Sequence, residues 1–136
     1  MEFITVEQFK EQPKEVQKVF LDWWKPSVGD IFIFNTDEYD NSDSNIGVLG
    51  SIKQINITRR SKGKYRIPLF TEGQLRKFIE DKTGGKVDAS FNGETYTVYS
   101  NEDFGLIIKM YEDIDSDLLQ AYWKVACMVA KEGLNG

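Results

Sequence analysis

Three β-strand patterns follow one another in the second half of the chain, and only short connections separate them. Val87–Phe91 and Glu94–Tyr99 flank Asn92-Gly93, a dipeptide that favours a tight hairpin. Phe104–Tyr111 supplies the third strand pattern. Since short connections join antiparallel neighbours, these residues predict an antiparallel meander.

Helical patterns lie on both sides of these strands. Their signals are apolar residues three or four positions apart and, at Thr5–Gln8 and Thr71–Gln74, the spacing of a capping box. The predicted helices cover residues near 6–11, 13–24, 72–81 and from Asp115 or Ser116 to about Glu132. Further strands are expected at Ile31–Phe34 and, as one strand or two, within Ile46–Thr58.

This order of elements predicts one α+β domain over residues 1–136. Its core is expected to be a mostly antiparallel sheet of about five or six strands packed with three main helices. The expected order is α-β-β(-β)-α-β-β-β-α. A chain of 136 residues buries roughly two-thirds of its unfolded surface, which is enough for a hydrophobic core.

Histidine is absent from the chain, and Cys127 is its one cysteine. The first fact excludes histidine acid–base catalysis and histidine-ligated zinc, and the second excludes an internal disulfide and thiolate zinc sites. No phosphate-binding loop occurs, so we assign no catalytic, cofactor-binding or metal-binding residue and expect a non-enzymatic protein. Without a signal-peptide pattern or an apolar run of roughly 18 residues, the chain is expected in the cytoplasm and not in a membrane.

Trp23 and Trp24 end a predicted helix just before Pro26, which disfavours helix at the residue that precedes it. Two hypotheses fit this pair of rings: a structural corner packed into the core, and an exposed platform for a ligand. Because neighbours on a helix point about 100° apart, one ring is expected inside and the other partly exposed. Whichever of the two rings is exposed is a candidate partner-binding residue, and Trp24 is taken as that candidate.

Two acidic segments contain oxygen ligands of the kind that metal ions bind. Asn35–Asn45 lacks the glycine and glutamate positions of an EF-hand loop, which favours a solvated hairpin loop over a calcium site. Glu112–Asp117 precedes the last predicted helix, where carboxylates cap free N–H groups and complement the helix dipole. Neither segment is therefore predicted to bind a metal ion. The 36–45 loop is a further candidate for contact with a protein partner.

Charge is distributed unevenly, because six cations lie between Lys53 and Arg66 and no acid occurs from Ile46 to Thr71. With those six cations set aside, 11 basic and 22 acidic residues remain, a net charge of −11. Strand patterns predict that the segment is a basic hairpin. Its candidate contact residues are Lys53, Arg59, Arg60, Lys62, Lys64, Tyr65 and Arg66.

Two hypotheses account for this basic segment. It contacts a nucleic acid backbone, or it protects a sheet edge and balances the acidic remainder of the chain. The overall net charge of −5 argues against non-specific nucleic-acid binding as the main activity. A small acidic module that binds a protein partner is therefore favoured, with a nucleic-acid-binding accessory protein as the alternative and a homodimer as a further arrangement.

Three segments resemble those of small proteins encoded by phages and prophages of Gram-positive bacteria. They are Trp23-Trp-Lys-Pro-Ser-Val-Gly-Asp30, Ile67-Pro-Leu-Phe-Thr-Glu-Gly-Gln-Leu-Arg-Lys-Phe-Ile79 and Leu118-Leu-Gln-Ala-Tyr-Trp123. The resemblance extends loosely over the whole chain and brings no known catalytic residues with it. It implies a bacterial cytoplasm and a role in phage–host interaction.

Overall fold

The computed structural model describes residues 2–34, 46–61, 66–102 and 106–135. They belong to two compact units, an N-terminal unit of Thr5–Phe70 and a C-terminal unit of Met1–Ile4 with Thr71–Gly136. Each unit combines helices with a three-stranded antiparallel sheet, so the predicted α+β class is confirmed. The single domain predicted over residues 1–136 stays a prediction.

The N-terminal unit has three helices and three strands in its described part. They are α1 (Val6–Glu11), α2 (Lys14–Trp23), β1 (Ile31–Phe34), β2 (Ile46–Val48), α3 (Ile52–Ser61) and β3 (Arg66–Pro68). The strands are ordered β2-β1-β3, with β1 antiparallel to both neighbours. The Phe20 ring lies 6.5 Å from Phe9 and 5.7 Å from Phe70, which gives the unit an aromatic core.

Local hydrogen bonds explain why α1 begins where the sequence predicts. Thr5 Oγ1 accepts a hydrogen bond from Gln8 N at 3.1 Å, and Gln8 Oε1 accepts one from Thr5 N at 3.0 Å. This reciprocal pair satisfies two N–H groups that the helix itself leaves unbonded. The same box, made by Thr71 and Gln74, starts a helix in the C-terminal unit.

The prediction of strand throughout Ile46–Thr58 is wrong, because only β2 is extended and α3 follows it. Ser51 Oγ accepts from Gln54 N at 3.2 Å, while Gln54 Oε1 accepts from Gly50 N at 2.6 Å. Ser51-Ile-Lys-Gln54 is thus a third helix start of the Ser/Thr-x-x-Gln type. The isoleucines and threonine that follow it favour strand by propensity, but the cap and tertiary contacts outweigh so weak a preference.

The C-terminal unit has two helices and three strands in its described part. They are α4 (Glu72–Thr83), β4 (Lys86–Phe91), β5 (Tyr96–Asn101), β6 (Ile107–Asp115) and α5 (Leu118–Asn135). The strands pair in the order β4-β5-β6, which confirms the antiparallel meander. The helices pack against each other and against the sheet, and Val87, Val98 and Tyr111 are buried in this core.

Several details of the predicted order differ from the structure. The described strands form two sheets of three instead of one sheet, and the described residues contain five helices where three main ones were expected. Asp117 caps α5, since its Oδ2 accepts from Gln120 N at 3.0 Å, and Gly133 lies inside that helix. The Asn35–Asn45 loop lies outside the described residues, so its predictions stay predictions.

Candidate partner-binding surface

The predicted basic hairpin is largely a helix. Lys53, Arg59 and Arg60 lie on α3, and Arg66 is the first residue of β3. Lys62, Lys64 and Tyr65 lie outside the described residues. The hairpin interpretation is therefore wrong for residues 53–61, and the basic residues there project from a helical surface.

One face of α3 is exposed and mixes cationic, amide and apolar side chains. It consists of Lys53, Asn56, Ile57 and Arg60, which lie three or four positions apart and are all exposed. On the opposite side, Thr58 is buried and Ile55 is half-buried, so that side faces the unit. We call the exposed set the α3 face.

Arg66 has a different role from the other cations, because it holds α3 to the sheet. Its guanidinium carbon lies 4.7 Å from the centre of the Phe32 ring, within the range of a cation–π contact. Its Nη1 also donates to Thr58 Oγ1 at 2.7 Å, and that hydroxyl donates to Gln54 O at 2.7 Å. Arg66 is thus tied into the packing between β3, β1 and α3.

Large apolar side chains are exposed beside the start of α3. Val28 is 63% exposed, Val48 is 58% exposed and Ile52 is 75% exposed. Gly29 N donates to Leu49 O at 2.8 Å and Leu49 N donates to Asp30 O at 3.0 Å, so the turn that bears Val28 lies against the end of β2. We call Val28, Val48 and Ile52 the apolar corner. It adjoins the α3 face, because Ile52 lies four positions before Asn56 on the same helix.

The tryptophan pair is divided between core and surface, as the helical geometry predicts. Trp24 is only 1% exposed, and its Nε1 donates to Asp30 Oδ2 at 2.9 Å. Ser27 N donates to the same oxygen at 2.9 Å, so Asp30 closes the turn between α2 and β1. Trp23 is half-buried and meets the Phe70 ring edge-on at 5.9 Å. Trp24 is therefore a structural corner, and its proposed contact with a partner is wrong because a partner cannot reach a buried ring.

Several carboxylates in the described part of the C-terminal unit have structural partners or line open clefts. Asp115 bonds Lys124 Nζ at 2.7 Å, and this bond is the main cause that lowers the pKa of Asp115. Two open clefts of about 400 and 410 Å³ lie at the N-termini of α4 and α5, and both are lined by Glu2 and Leu119.

No group of three metal-binding side chains occurs within the described ranges. Among those same residues, no helix is both long and apolar enough to cross a bilayer.

Cys127 should be unreactive in the folded protein. Burial on α5 raises its pKa to about 12, with Lys131 opposing the shift weakly, whereas thiolate is the form that reacts. A thiol-reactive disulfide reagent at pH 8 should therefore label the protein only after urea unfolds it. Labelling of the native protein at the rate of the unfolded chain would contradict the prediction.

The same burial makes the contribution of Cys127 to stability depend on pH. The folded thiol keeps its proton above its ordinary pKa of 9.0, so its stabilisation is complete below pH 9.0 and is lost as the pH rises towards about 12. Urea unfolding of the wild type and of Cys127→Ala across this range isolates the effect. A difference between the two that does not change with pH would contradict it.

No protein-family model matches the chain, and comparison with curated proteins and with solved structures gives no match either.

Proposed function

We propose that this chain is a non-enzymatic binding module that docks onto an acidic protein surface through the α3 face and the apolar corner. The observation that carries the proposal is the exposure of Ile52, at 75%, directly beside exposed cations on α3. Exposed apolar side chains that adjoin one another commonly mark a contact with another protein. Cations around them select a partner whose contact surface is acidic.

The charge of the surrounding sequence supports an acidic partner. No carboxylate occurs from Ile46 to Thr71, so Lys53, Arg59 and Arg60 have no acidic neighbour in that segment. The remainder of the chain is strongly acidic, which would repel the same partner from other surfaces and orient its approach. The basic segment therefore supplies orientation, and the apolar corner supplies contact area that water leaves on binding.

A nucleic acid is the alternative partner, and one observation favours it. Lys53 and Arg60 lie on the same exposed face as Asn56, and these are residue types that contact phosphates and base edges. The apolar corner argues for a protein instead, since phosphates offer no surface for Val28, Val48 or Ile52 to cover. The net charge of −5 argues in the same direction.

The test compares two double charge reversals in the N-terminal unit. Lys53→Glu with Arg60→Glu alters the α3 face, whereas Lys14→Glu with Lys25→Glu makes the same charge change at exposed positions outside it. A photo-crosslinking residue at position 52 would identify the partner, and titration of that purified partner would follow. The α3 reversal should weaken binding by at least about tenfold, on the order of 1.4 kcal/mol, while the control reversal should not.

Thermal unfolding separates a binding defect from a folding defect. Both reversals should leave the melting temperature close to that of the wild type, because the four side chains are exposed and Arg66 remains in place. Equal weakening by the two reversals would sink the proposal. Binding of a fluorescent DNA duplex that falls steeply with salt and disappears in the α3 reversal would establish the nucleic-acid alternative instead.

We also propose that the protein is cytoplasmic and that it is encoded by a phage or prophage. The buried thiol of Cys127 and the absence of a second cysteine suit a reducing compartment. The phage origin is supported by the sequence resemblance alone. Self-association through oppositely charged surfaces is a variant of the same proposal, and the crosslinking experiment would reveal it as a dimer of the chain.

A further inference from the structure

The hairpin between β4 and β5 carries Asn92-Gly93 on an exposed four-residue connection, since Phe91 pairs with Tyr96. The hairpin predicted from this dipeptide is present, and the asparagine side chain shapes its turn. Asn92 Oδ1 accepts from Glu94 N and from Thr95 N, both at 2.9 Å. Asn92 N also donates to Thr95 O at 3.2 Å, so these three bonds fold residues 92–95 into a tight turn beyond the pair of Phe91 with Tyr96.

The same amide ties the hairpin to the neighbouring strand. Asn92 Nδ2 donates to Asp113 Oδ1 on β6 at 3.2 Å, and Thr95 Oγ1 donates to that oxygen at 2.9 Å. We call these two bonds the hairpin latch. Asp113 is the one residue other than glycine with a positive φ in the described ranges, at 52°, so the backbone is locally bent where the latch is made.

We propose that Asn92 is a site of spontaneous deamidation and that the loss of its amide opens the hairpin latch. This site is independent of the α3 face and of the proposed partner. The nucleophile is the backbone nitrogen of Gly93, which becomes reactive when hydroxide removes its proton. Gly93 has no side chain to shield that nitrogen, and its φ of +98° is one that few other residues adopt.

The reaction needs only the chain and water. The Gly93 nitrogen bonds to Asn92 Cγ, the bond from Cγ to Nδ2 breaks, and Nδ2 leaves as ammonia after taking up a proton. The product is a five-membered succinimide. Water then adds to either carbonyl of the ring and opens it, which leaves aspartate or isoaspartate at position 92.

The hydrogen bonds of the native loop favour the attack on Cγ. Glu94 N and Thr95 N both point at Asn92 Oδ1, the oxygen on which negative charge develops during the addition. Two backbone donors aimed at one such oxygen are the arrangement by which oxyanion holes stabilise tetrahedral intermediates. We therefore expect deamidation of Asn92 to proceed in the folded hairpin and not only in the unfolded chain.

Conversion removes one of the two donors of the latch, and Thr95 Oγ1 remains as the other. Nδ2 is replaced by a carboxylate oxygen, so two anions face each other where a donor and an acceptor were 3.2 Å apart. Isoaspartate adds a backbone methylene as well, which disturbs the pairing of Phe91 with Tyr96. The end of the hairpin should then separate from β6.

The first experiment follows the amides of the purified full chain during incubation at mildly alkaline pH. Peptide mapping by mass spectrometry reports the conversion of Asn92, of Asn101 (followed by glutamate) and of Asn135 (followed by glycine at the end of α5). Asn92 should convert before either of the others, faster as the pH rises, and Gly93→Ala should suppress it. An Asn92 that keeps its amide while Asn135 converts, or that converts only in urea, would overturn the proposal.

The second experiment tests the latch by exchanging its two polar groups. Asn92→Asp mimics one product and should speed amide hydrogen exchange in the β4–β5 hairpin. Asn92→Asp combined with Asp113→Asn places a donor opposite the new carboxylate, and asparagine tolerates the positive φ at position 113, so protection should return. Equal exchange in the wild type and in Asn92→Asp would show that the amide does not hold the hairpin.

Discussion

Replacing Trp24 with alanine is expected to lower the free energy of unfolding by ~3–5 kcal/mol. The ring is 1% exposed and its Nε1 donates to Asp30 Oδ2, so alanine creates a cavity and also removes a buried hydrogen bond. Urea unfolding followed by far-ultraviolet circular dichroism measures the change. Trp23→Ala is the matched control, because the adjacent ring is half-buried and should cost less.

The acceptor side of the Trp24 corner can be tested separately. Asp30→Ala leaves the N–H groups of Trp24 and Ser27 without the oxygen that both use, which should cost about 1–3 kcal/mol. Combined with Trp24→Phe, it should cost less than the sum of the two single changes, because the indole N–H is already gone. Additive costs, or a larger loss in Trp23→Ala than in Trp24→Ala, would contradict the corner interpretation.

Phe70→Ala should be about as damaging as Trp24→Ala, at ~3–5 kcal/mol. Phe70 is fully buried, and its ring contacts those of Phe20 at 5.7 Å and Trp23 at 5.9 Å. Its loss should therefore leave a cavity in the aromatic core of the N-terminal unit. Equilibrium unfolding in urea provides the measurement.

Phe91→Ala is the matched control for Phe70→Ala, since it makes the same change at an exposed ring. Phe91 is 52% exposed and its ring contacts that of Tyr96 at 4.8 Å, so its loss should lower the free energy of unfolding by roughly 1 kcal/mol. Similar decreases in the free energy of unfolding for both substitutions would mean that burial of Phe70 contributes little to stability. That result would count against the aromatic core described for Thr5–Phe70.

The sequence predicts helix starts well where a cap acts between neighbouring residues. Thr5–Gln8 and Thr71–Gln74 place the beginnings of α1 and α4 correctly, since the bonds involved join residues three positions apart. Ser51–Gln54 has the same spacing, but the β-branched residues after it favour strand and led to the wrong prediction for α3. Its serine-to-glutamine spacing is the signal that could have revealed the helix.

The sequence also locates the basic segment, but it does not separate the roles of the cations in it. Arg66 is held by Phe32 and Thr58, whereas Lys53 and Arg60 point to solvent. These residues have similar chemistry and lie close together in the chain. Their difference depends on which strand lies beneath which helix, and this is a contact between distant residues.

Local patterns sufficed to predict the α+β class, the meander, the capping boxes of α1 and α4 and the acid-free segment, because these follow from interactions between residues a few positions apart. The packing of distant residues places the described strands in two sheets, buries Trp24 against Asp30 and exposes Ile52 beside the cations of α3. The hairpin latch at Asp113 belongs to this second group. The physical reason is that burial and hydrogen bonding between distant residues depend on how elements pack, and local patterns do not encode that packing.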